Sequence, residues 1–366
     1  MTITSPDFRA RNIPELLDLV IRIYRRHFLT LIGIIALMQI PVALIQLIFQ
    51  LVALSGPFFE AMQDPNFFMT SRPEDLWGPE LAGGFIGLFC FVVVGFVLVQ
   101  GLATAATTRA VAGSYFGHMP GIIEAYRQIR PVWLRLVLAL ILAALLGLVF
   151  LIWGMVPCVG WLSGLGMFIF WMTAIVPLLS PIIVLEDQTI TGAIRRAWDL
   201  ARRRFWGLLG FMVALFILGQ VLIAVPSTII NTLFQVLVGL DPASSDMSKY
   251  LILQTIVQSL TTLGLTLIYL PLQITGITMI YFDLRIRTEG FDLAVAAETD
   301  AATSEDQTGT VEQLINQAPS PEQGGVLTWR EMGYFALVSL LGGGGVVLLW
   351  AVFALLAVAI MGASGL

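Results

Sequence analysis

The stretch Leu134–Pro157 reads LRLVLALILAALLGLVFLIWGMVP and contains one charged residue, Arg135. A helix of about 20 apolar residues crosses the roughly 30 Å hydrocarbon core of a bilayer. A helix also satisfies its own backbone hydrogen bonds, as a hydrocarbon environment requires. The stretch therefore predicts a transmembrane helix, and it sets the class of the whole chain.

Other apolar stretches of similar length follow the same pattern. They lie at about 28–54, 81–108, 161–185, 206–236, 251–282 and 333–363. Hydrophobic residues make up 58% of the chain and charged residues only 12%, whereas a soluble domain typically carries about 25% charged residues. This composition excludes an ordinary soluble enzyme and a disordered chain. The predicted fold class is all-α, a polytopic transmembrane helical bundle of about seven spans.

The basic residues are distributed asymmetrically around these spans. Of 19 basic residues, only Arg72 and Lys249 fall on the outer side when the N-terminus is placed in the cytoplasm. Cytoplasmic loops of membrane proteins carry an excess of Lys and Arg. We therefore expect a multi-pass protein of a bacterial-type plasma membrane, with a cytoplasmic N-terminus and, after seven spans, an extracytoplasmic C-terminus.

Three arginine-rich segments each lead directly into a span, and they read IPELLDLVIRIYRRHF, GIIEAYRQIRPVWL and TGAIRRAWDLARRRFW. Their apolar residues recur with helical spacing, as do Leu17, Ile21, Tyr24 and Phe28. This pattern predicts amphipathic helices that lie in the inner interface and face the anionic leaflet. The alternative is that they are cytoplasmic extensions packing on one another. The predicted basic faces contain Arg22, Arg25, Arg26, Arg127, Arg130, Arg195, Arg202 and Arg203.

The same segments divide the predicted core into three repeated units, each an interfacial helix followed by a transmembrane hairpin. The units cover about 12–119, 120–188 and 189–290. Together they form a six-span core at 1–293. Residues 294–331 are rich in acidic and small polar residues, which predicts a disordered cytoplasmic linker. Residues 332–366 are expected to form an additional, peripheral transmembrane helix, whose removal would leave the core inserted.

The segment YFDLRIRTEGFDL closes the last span of this core. It resembles the closing motif of the glycerophosphoryl diester phosphodiesterase membrane-domain family, in which a Tyr-x-Asp-Leu-Arg-x-Arg-x-Glu-Gly-x-Asp-Leu string is common. The matching residues are Tyr281, Asp283, Leu284, Arg285, Arg287, Glu289, Gly290, Asp292 and Leu293.

Two further segments are similar to the same family. Between Glu186 and Trp206 the shared positions are Ala193, Arg196, Trp198 and Leu200, with Ala197 where a serine is common. The opening ELLDLVIRIYRRHF is similar as well, so the resemblance covers about residues 10–293. It implies a membrane module without hydrolase activity. The catalytic barrel fused to some members needs on the order of 250 residues of alternating strands and helices, and the sequence contains no soluble segment of that size.

The closing motif mixes acids and arginines just inside the predicted membrane. One hypothesis is a cytoplasmic stop signal with local ion pairs. The other is an ion-paired latch onto the arginine-rich helices, notably onto Arg195 and the run 202–204. The candidate latch residues are Asp283, Arg285, Arg287, Glu289 and Asp292.

Polar and small residues inside the spans are further candidates. Gln254, Gln258 and Thr262 form a polar stripe in the sixth span. The stripe is explained either by interhelical hydrogen bonds or by the lining of a polar or lipid-headgroup cavity. Cys90 and Cys158 lie in apolar runs and are expected to be small buried side chains.

Motifs for metal, phosphate or nucleophilic chemistry are missing from the sequence, and neither His27 nor His118 has neighbouring metal ligands. We therefore expect no cofactor, and the leading hypothesis is a non-catalytic integral membrane scaffold or accessory module associated with membrane lipid or a partner enzyme. The rival hypotheses are a permease for a neutral or lipid-like substrate and an intramembrane enzyme. The expected partners are the anionic inner leaflet and a membrane protein or second copy of the chain. Nucleic acid is not expected, since the basic clusters abut the spans.

Overall fold

The fold comes from a computed structural model, and the structure describes residues 9–54, 87, 91, 93, 95–238, 247–293 and 328–342. Over these ranges the chain is helical apart from caps and short turns, and no strand occurs in them. The predicted all-α class is therefore confirmed.

The helices have the following bounds in chain order. They are α1 (Ile13–Arg26), α2 (Phe28–Leu54), α3 (Phe96–Ala103 continued by Thr104–Tyr115), α4 (Ile122–Gln128), α5 (Trp133–Gly154), α6 (Val159–Phe170, Trp171–Ile175 and Val176–Glu186), α7 (Ile190–Arg203), α8 (Phe205–Gly219, Gln220–Ala224 and Val225–Val238), α9 (Met247–Glu289) and α10 (residues 329–342). The first part of α3 and the middle parts of α6 and α8 are π-helical.

Within the described ranges, 5 helices are long and apolar enough to cross a membrane. They are Phe28–Leu51, Trp133–Gly154, Val159–Glu186, Phe205–Val238 and Tyr250–Glu289. Membrane insertion, as predicted, is thus supported by five long apolar helices. The predicted spans at 81–108 and 333–363 fall partly outside the described residues.

The chain forms two compact units. Unit 1 comprises residues 1–137 and 214–283, and unit 2 comprises residues 138–213 and 284–366.

In unit 1, two tyrosines of the short helices tie them to the long ones. The Tyr24 hydroxyl of α1 donates to the Ile268 carbonyl at 2.8 Å, and the Tyr126 hydroxyl of α4 donates to the Ile34 carbonyl at 2.7 Å. Burial raises the pKa of Tyr24 to about 12, and burial also raises the pKa of Tyr126. Both hydroxyls therefore stay protonated and keep donating at neutral pH.

Unit 2 contains a tight hairpin between α5 and α6. A Cβ on Gly164 would lie 2.7 Å from the Gly154 Cα, so only glycine permits this approach. The Trp171 indole nitrogen donates to the Ala143 carbonyl at 2.8 Å across the same hairpin. Gly160 and Gly164 therefore serve packing within the chain, as their spacing allows.

Helix α10 is also part of unit 2, which differs from the expected peripheral position of residues 332–366. Phe335 is only 1% exposed and packs its ring against Phe170, at 5.7 Å between centroids. The Gly166 amide donates to the Ser339 hydroxyl at 2.6 Å. The described part of this helix is thus packed into unit 2, because Gly166 leaves room for its backbone.

The expectation that Cys158 is buried is wrong. Cys158 is exposed and has a φ of 64° in the short turn between α5 and α6. Its apolar neighbours in the sequence belong to the helix ends, whereas the residue itself lies at the turn. Cys90 lies outside the described residues.

Candidate functional site

Four charged side chains of unit 2 form a buried group, here called the charge cluster. Its members are Glu186 at the end of α6, Arg196 on α7, and Arg285 and Glu289 near the end of α9. The exposed fractions of these side chains are 0%, 6%, 2% and 9% in that order. Charged side chains are almost never this buried unless they are paired.

The pairs run between helices as well as along one helix. Arg196 Nε lies 3.0 Å from Glu186 Oε2, and Arg196 Nη1 lies 2.5 Å from Glu289 Oε1. Arg285 Nε lies 3.1 Å from Glu289 Oε2 and 3.7 Å from Glu186 Oε1. Each arginine therefore contacts both carboxylates, and the cluster joins the ends of α6, α7 and α9.

Local sequence brings Glu186 and Arg196 together. Helix α6 ends at Glu186, and Asp187 follows it in the left-handed conformation at φ 51°. Thr189 then caps α7, since its hydroxyl accepts from the Gly192 amide at 3.2 Å. This short connection turns the chain back, so that Arg196 lies beside the acid that ended the previous helix.

The end of α9 supplies the other half of the cluster. Arg285 and Glu289 are one helical turn apart and so lie on the same face. Gly290, with φ 64°, terminates the helix, and Phe291 folds back under Arg285 with 4.6 Å between the guanidinium carbon and the ring centroid. The guanidinium is thus enclosed by two carboxylates and an aromatic face.

The cluster is electrically balanced, with two cations and two anions. Burial by itself lowers the pKa of Arg196, but the hydrogen bond with Glu289 and the charge of Glu186 outweigh it and raise the pKa above its ordinary value. Arg196 is therefore charged at every physiological pH. Removing one partner of a buried pair leaves an uncompensated charge, which is strongly destabilising. The cluster is therefore suited to holding the ends of α6, α7 and α9 together.

The candidate latch residues lie in different environments. Arg285 and Glu289 enter the charge cluster, whereas Arg287 is exposed and Asp292 is half-buried. Asp283, in unit 1, is buried, and its Oδ1 accepts from the Arg11 amide at 2.8 Å.

The sequence predicts that the latch pairs with Arg195 and with the run 202–204. Glu289 pairs with Arg196, the residue next to the expected Arg195. Arg195 and Arg203 are exposed, and Arg202 pairs instead with Asp199 at 3.3 Å along α7.

The predicted basic faces of the other two short helices lie on the surface. The five arginines of these faces are exposed: Arg22, Arg25 and Arg26 on α1, Arg127 on α4, and Arg130 just after α4. The buried face of α1, however, consists of Leu16, Val20, Ile23 and Tyr24. Ile21 and Phe28, predicted to lie on the apolar face of this helix, are 41% and 38% exposed beside the arginines.

The polar stripe of α9 divides into inward and outward members. Gln254 Nε2 donates to Asn231 Oδ1 at 3.4 Å, whereas Gln258 and Thr262 are exposed. Nearby, the Ser259 hydroxyl donates to Gln50 Oε1 at 2.9 Å. A cavity lined by these residues stays a prediction.

Sequence reasoning missed the part played by Glu186 and Arg196 in a buried cluster. The available signal was an acid at the end of an apolar run, followed nine and ten residues later by paired arginines. It also missed two buried polar atoms on α7, Trp198 Nε1 and Asp199 Oδ2, for which no hydrogen-bond partner is found within the described part of the chain.

No group of three or more His, Cys, Asp and Glu side chains suited to a metal ion occurs among the residues the structure describes. Comparisons of this chain with family models, with curated proteins and with solved structures return no match.

Proposed function

We propose that the protein is a non-catalytic integral membrane scaffold that gathers anionic lipid, and a partner held by that lipid, at the cytoplasmic face. The observation that carries the proposal is the set of exposed arginines on α1 and α4, next to membrane-capable helices. Each arginine near an anionic leaflet contributes about 1 kcal/mol of attraction.

The position of α1 supports contact with lipid headgroups. Only His27 separates α1 from α2, so α1 is held at the end of a candidate span. Its inner face is packed, while Arg22, Arg25 and Arg26 are exposed beside the apolar Ile21. A helix with exposed arginines and adjacent exposed apolar residues is suited to the headgroup boundary.

The charge cluster supports the scaffold role in a different way. Its four charges compensate one another, so it holds helices of unit 2 together while the peripheral arginines remain available for external anions.

The lipid that co-purifies with the protein tests this proposal. We expect mass spectrometry of lipid extracted from the detergent-purified protein to show enrichment of anionic phospholipid over the host membrane. Replacing Arg22, Arg25 and Arg26 with glutamine should reduce the enrichment, whereas the triple lysine variant, which keeps the charge, should retain most of it. Equal enrichment in the glutamine variant, or none in the wild type, would contradict the proposal.

The finer architecture belongs to the same proposal. We infer that the chain is a membrane module of the glycerophosphoryl diester phosphodiesterase membrane-domain family. It has seven spans, and its core consists of three repeated units. Support comes from the closing motif and from the equal lengths of α1 and α7, 14 residues each, which lead into long helices through a single residue.

The proposed orientation places the N-terminus in the cytoplasm of a plasma-membrane protein and the C-terminus outside. In a variant lacking Cys90 and Cys158, single cysteines at positions 5 and 308 should be shielded from an impermeant thiol reagent in intact cells. Cysteines at 71 and 364 should react. Labelling at 308 without cell disruption would contradict this orientation.

A permease for a lipid-like substrate is the second candidate, because three long helices contain π-helical segments, which are frequent at functional sites. In proteoliposomes, dithionite quenching of an NBD-labelled phosphatidylcholine measures transfer between leaflets. Transfer faster than in protein-free liposomes would favour the permease, and equal rates would favour the scaffold.

A further inference from the structure

The turn between α5 and α6 exposes apolar side chains. Residues 153–163, here called the tip, include the turn itself at 155–158 and the adjoining ends of both helices. Met155 is 71% exposed, Val159 59% and Trp161 62%. No Asp, Glu, Lys, Arg, His, Asn or Gln occurs between residues 136 and 185, whereas turns in water usually carry polar residues such as Asn, Asp and Ser. The tip is therefore poorly suited to water.

Most polar groups of the tip are satisfied within the chain. The Trp153 indole nitrogen donates to the Ser163 hydroxyl at 3.2 Å, and that hydroxyl donates to the Val159 carbonyl at 2.7 Å. The backbone amides of residues 155, 156, 159, 160 and 162 donate to carbonyls of residues 152–158, and Pro157 has no amide hydrogen. Backbone groups must be satisfied in this way wherever a segment leaves water for lipid.

The length of α5 sets the depth of the tip. The candidate span Trp133–Gly154 has 22 residues, which is about 33 Å at 1.5 Å per residue. The hydrocarbon core of a bilayer is roughly 30 Å thick, so a helix of this length that crosses it once ends just beyond the core. Trp153 lies one residue before the end of α5, and Trp161 lies two residues after the start of α6. Both are thus placed at the interface between hydrocarbon and headgroups, where Trp is enriched in membrane proteins.

We infer that the tip is an anchor in the lipid of the outer leaflet, at the level of the glycerol and ester carbonyl groups. Both flanking helices are candidate spans, so the lipid around them continues to the tip and covers Met155 and Val159. The Trp161 indole N–H makes no hydrogen bond within the described part of the chain, and a lipid carbonyl offers it an acceptor at this depth. The inference is independent of the anionic lipid proposed for α1, and the proposed orientation only assigns the leaflet.

The accessibility of the native Cys158 thiol tests the inference. In the Cys90→Ser variant Cys158 is the single cysteine, and it is exposed in the structure. In intact cells a lipid-soluble maleimide should label it, whereas a sulfonated, impermeant maleimide should react roughly tenfold more slowly, because moving a charged reagent out of water is costly. A single cysteine at position 71, expected in water, is the control and should react with both reagents. Equal rates of the two reagents at Cys158 would overturn the inference.

Fluorescence quenching in phosphatidylcholine proteoliposomes measures the depth of the tip and does not depend on the orientation. A bimane label on Cys158 should be quenched more by lipid with a nitroxide at the headgroup than by lipid with a nitroxide deep in the acyl chain. In a background without native cysteines, Leu145→Cys is the matched control, since Leu145 is 56% exposed near the middle of the α5 span, and its label should show the reverse order.

Three results would overturn the inference. Stronger quenching of the Cys158 label by the deep nitroxide would indicate a hairpin that ends inside the hydrocarbon core. Quenching by aqueous iodide alone would place the tip in water. Quenching by neither lipid nor iodide would indicate that a second copy of the chain covers the tip.

Discussion

Helices α1 and α7 share a plan but bury different side chains. Each has 14 residues, each follows an extended residue with ψ near 160° (161° at Asn12 and 163° at Thr189), and each is joined to the next long helix by one residue. The arginines of α1 are exposed, whereas Arg196 of α7 is 5% exposed and lies in the charge cluster.

The packing faces of the two helices explain the difference. When Ile13 is aligned with Ile190, the corresponding buried residues are Leu16, Val20, Ile23 and Tyr24 in α1 and Ala193, Ala197, Leu200 and Ala201 in α7. Alanine lets neighbouring elements approach the helix axis, so charged residues flanking the face become buried as well. In the same alignment Arg196 corresponds to Leu19, which is half-buried, and Asp199, which is buried, corresponds to the exposed Arg22. Both flanking positions are thus more buried in α7 than in α1, and we infer that the smaller packing residues of α7 are the cause.

The largest expected effect is a difference in stability loss between a substitution in α7 and one in α1. Arg196→Leu leaves Glu186 and Glu289 with one of the two cations of the charge cluster, Arg285. One buried negative charge is then uncompensated within the cluster, and we expect a loss of about 3–5 kcal/mol in the free energy of unfolding. Arg22→Leu, on the exposed face of α1, should change it by less than about 0.5 kcal/mol. Unfolding in mixed detergent micelles measures both, and equal losses would refute the comparison.

Phe335→Ala tests the support that α7 receives from α10. The ring packs against Trp198 at 6.1 Å between centroids, and its removal creates a cavity. We expect a loss of about 3–4 kcal/mol, with Leu337→Ala, 46% exposed on the same helix, as control. If the two variants melt alike, α10 is peripheral after all.

The alanine face of α7 can be tested by enlarging it. Ala197→Val adds volume where there is no space, and we expect a destabilisation of about 1–3 kcal/mol together with partial exposure of Arg196. Val20, the corresponding residue of α1, shows that valine suits the other helix. A stable Ala197→Val variant would mean that side-chain size does not control the burial of Arg196.

Within the closing motif, replacing arginine with lysine should lower stability at Arg285 but not at Arg287. Arg285→Lys replaces a planar fork between two carboxylates with a point charge, and we expect a loss of about 1–2 kcal/mol. Arg287→Lys, at an exposed site, should leave melting unchanged, and topology should be intact in both. Asp283→Asn should also lower stability, because it weakens the bond accepted from the Arg11 amide. Wild-type melting of Arg285→Lys would leave the motif with a purely topological role.

The smallest expected effect concerns His27, the residue that follows α1. Burial, followed by the charge of Arg26, lowers the pKa of His27 below its ordinary value. The unfolded chain then binds this proton more tightly, so the stability linked to His27 is complete above about pH 6.5 and declines as the pH falls through that value. Melting at pH 7.5 and 5.5 should show the decline in the wild type and less of it in His27→Gln. Identical pH dependence in wild type and variant would refute this assignment.

Sequence alone determined the helical, membrane-capable character of the chain, because span length and apolar content are local properties of each stretch. It also located the arginine-rich helices, since helical periodicity and charge can be recognised within 14 residues. The apolar face predicted for α1 lies about one residue away from the face that is buried in the structure. Periodicity alone does not identify the neighbour against which a face packs.

Only the tertiary structure decided which charges meet. Arg196 and Glu289 belong to segments far apart in the sequence, and their 2.5 Å contact depends on how α7 packs beside the end of α9. Exposed and buried arginines look alike in a sequence, because burial is set by the volume of neighbouring side chains. For the same reason the sequence did not reveal the position of Phe335. Its place in unit 2 requires glycine at position 166 on another helix, because a Cβ there would overlap the Phe335 backbone.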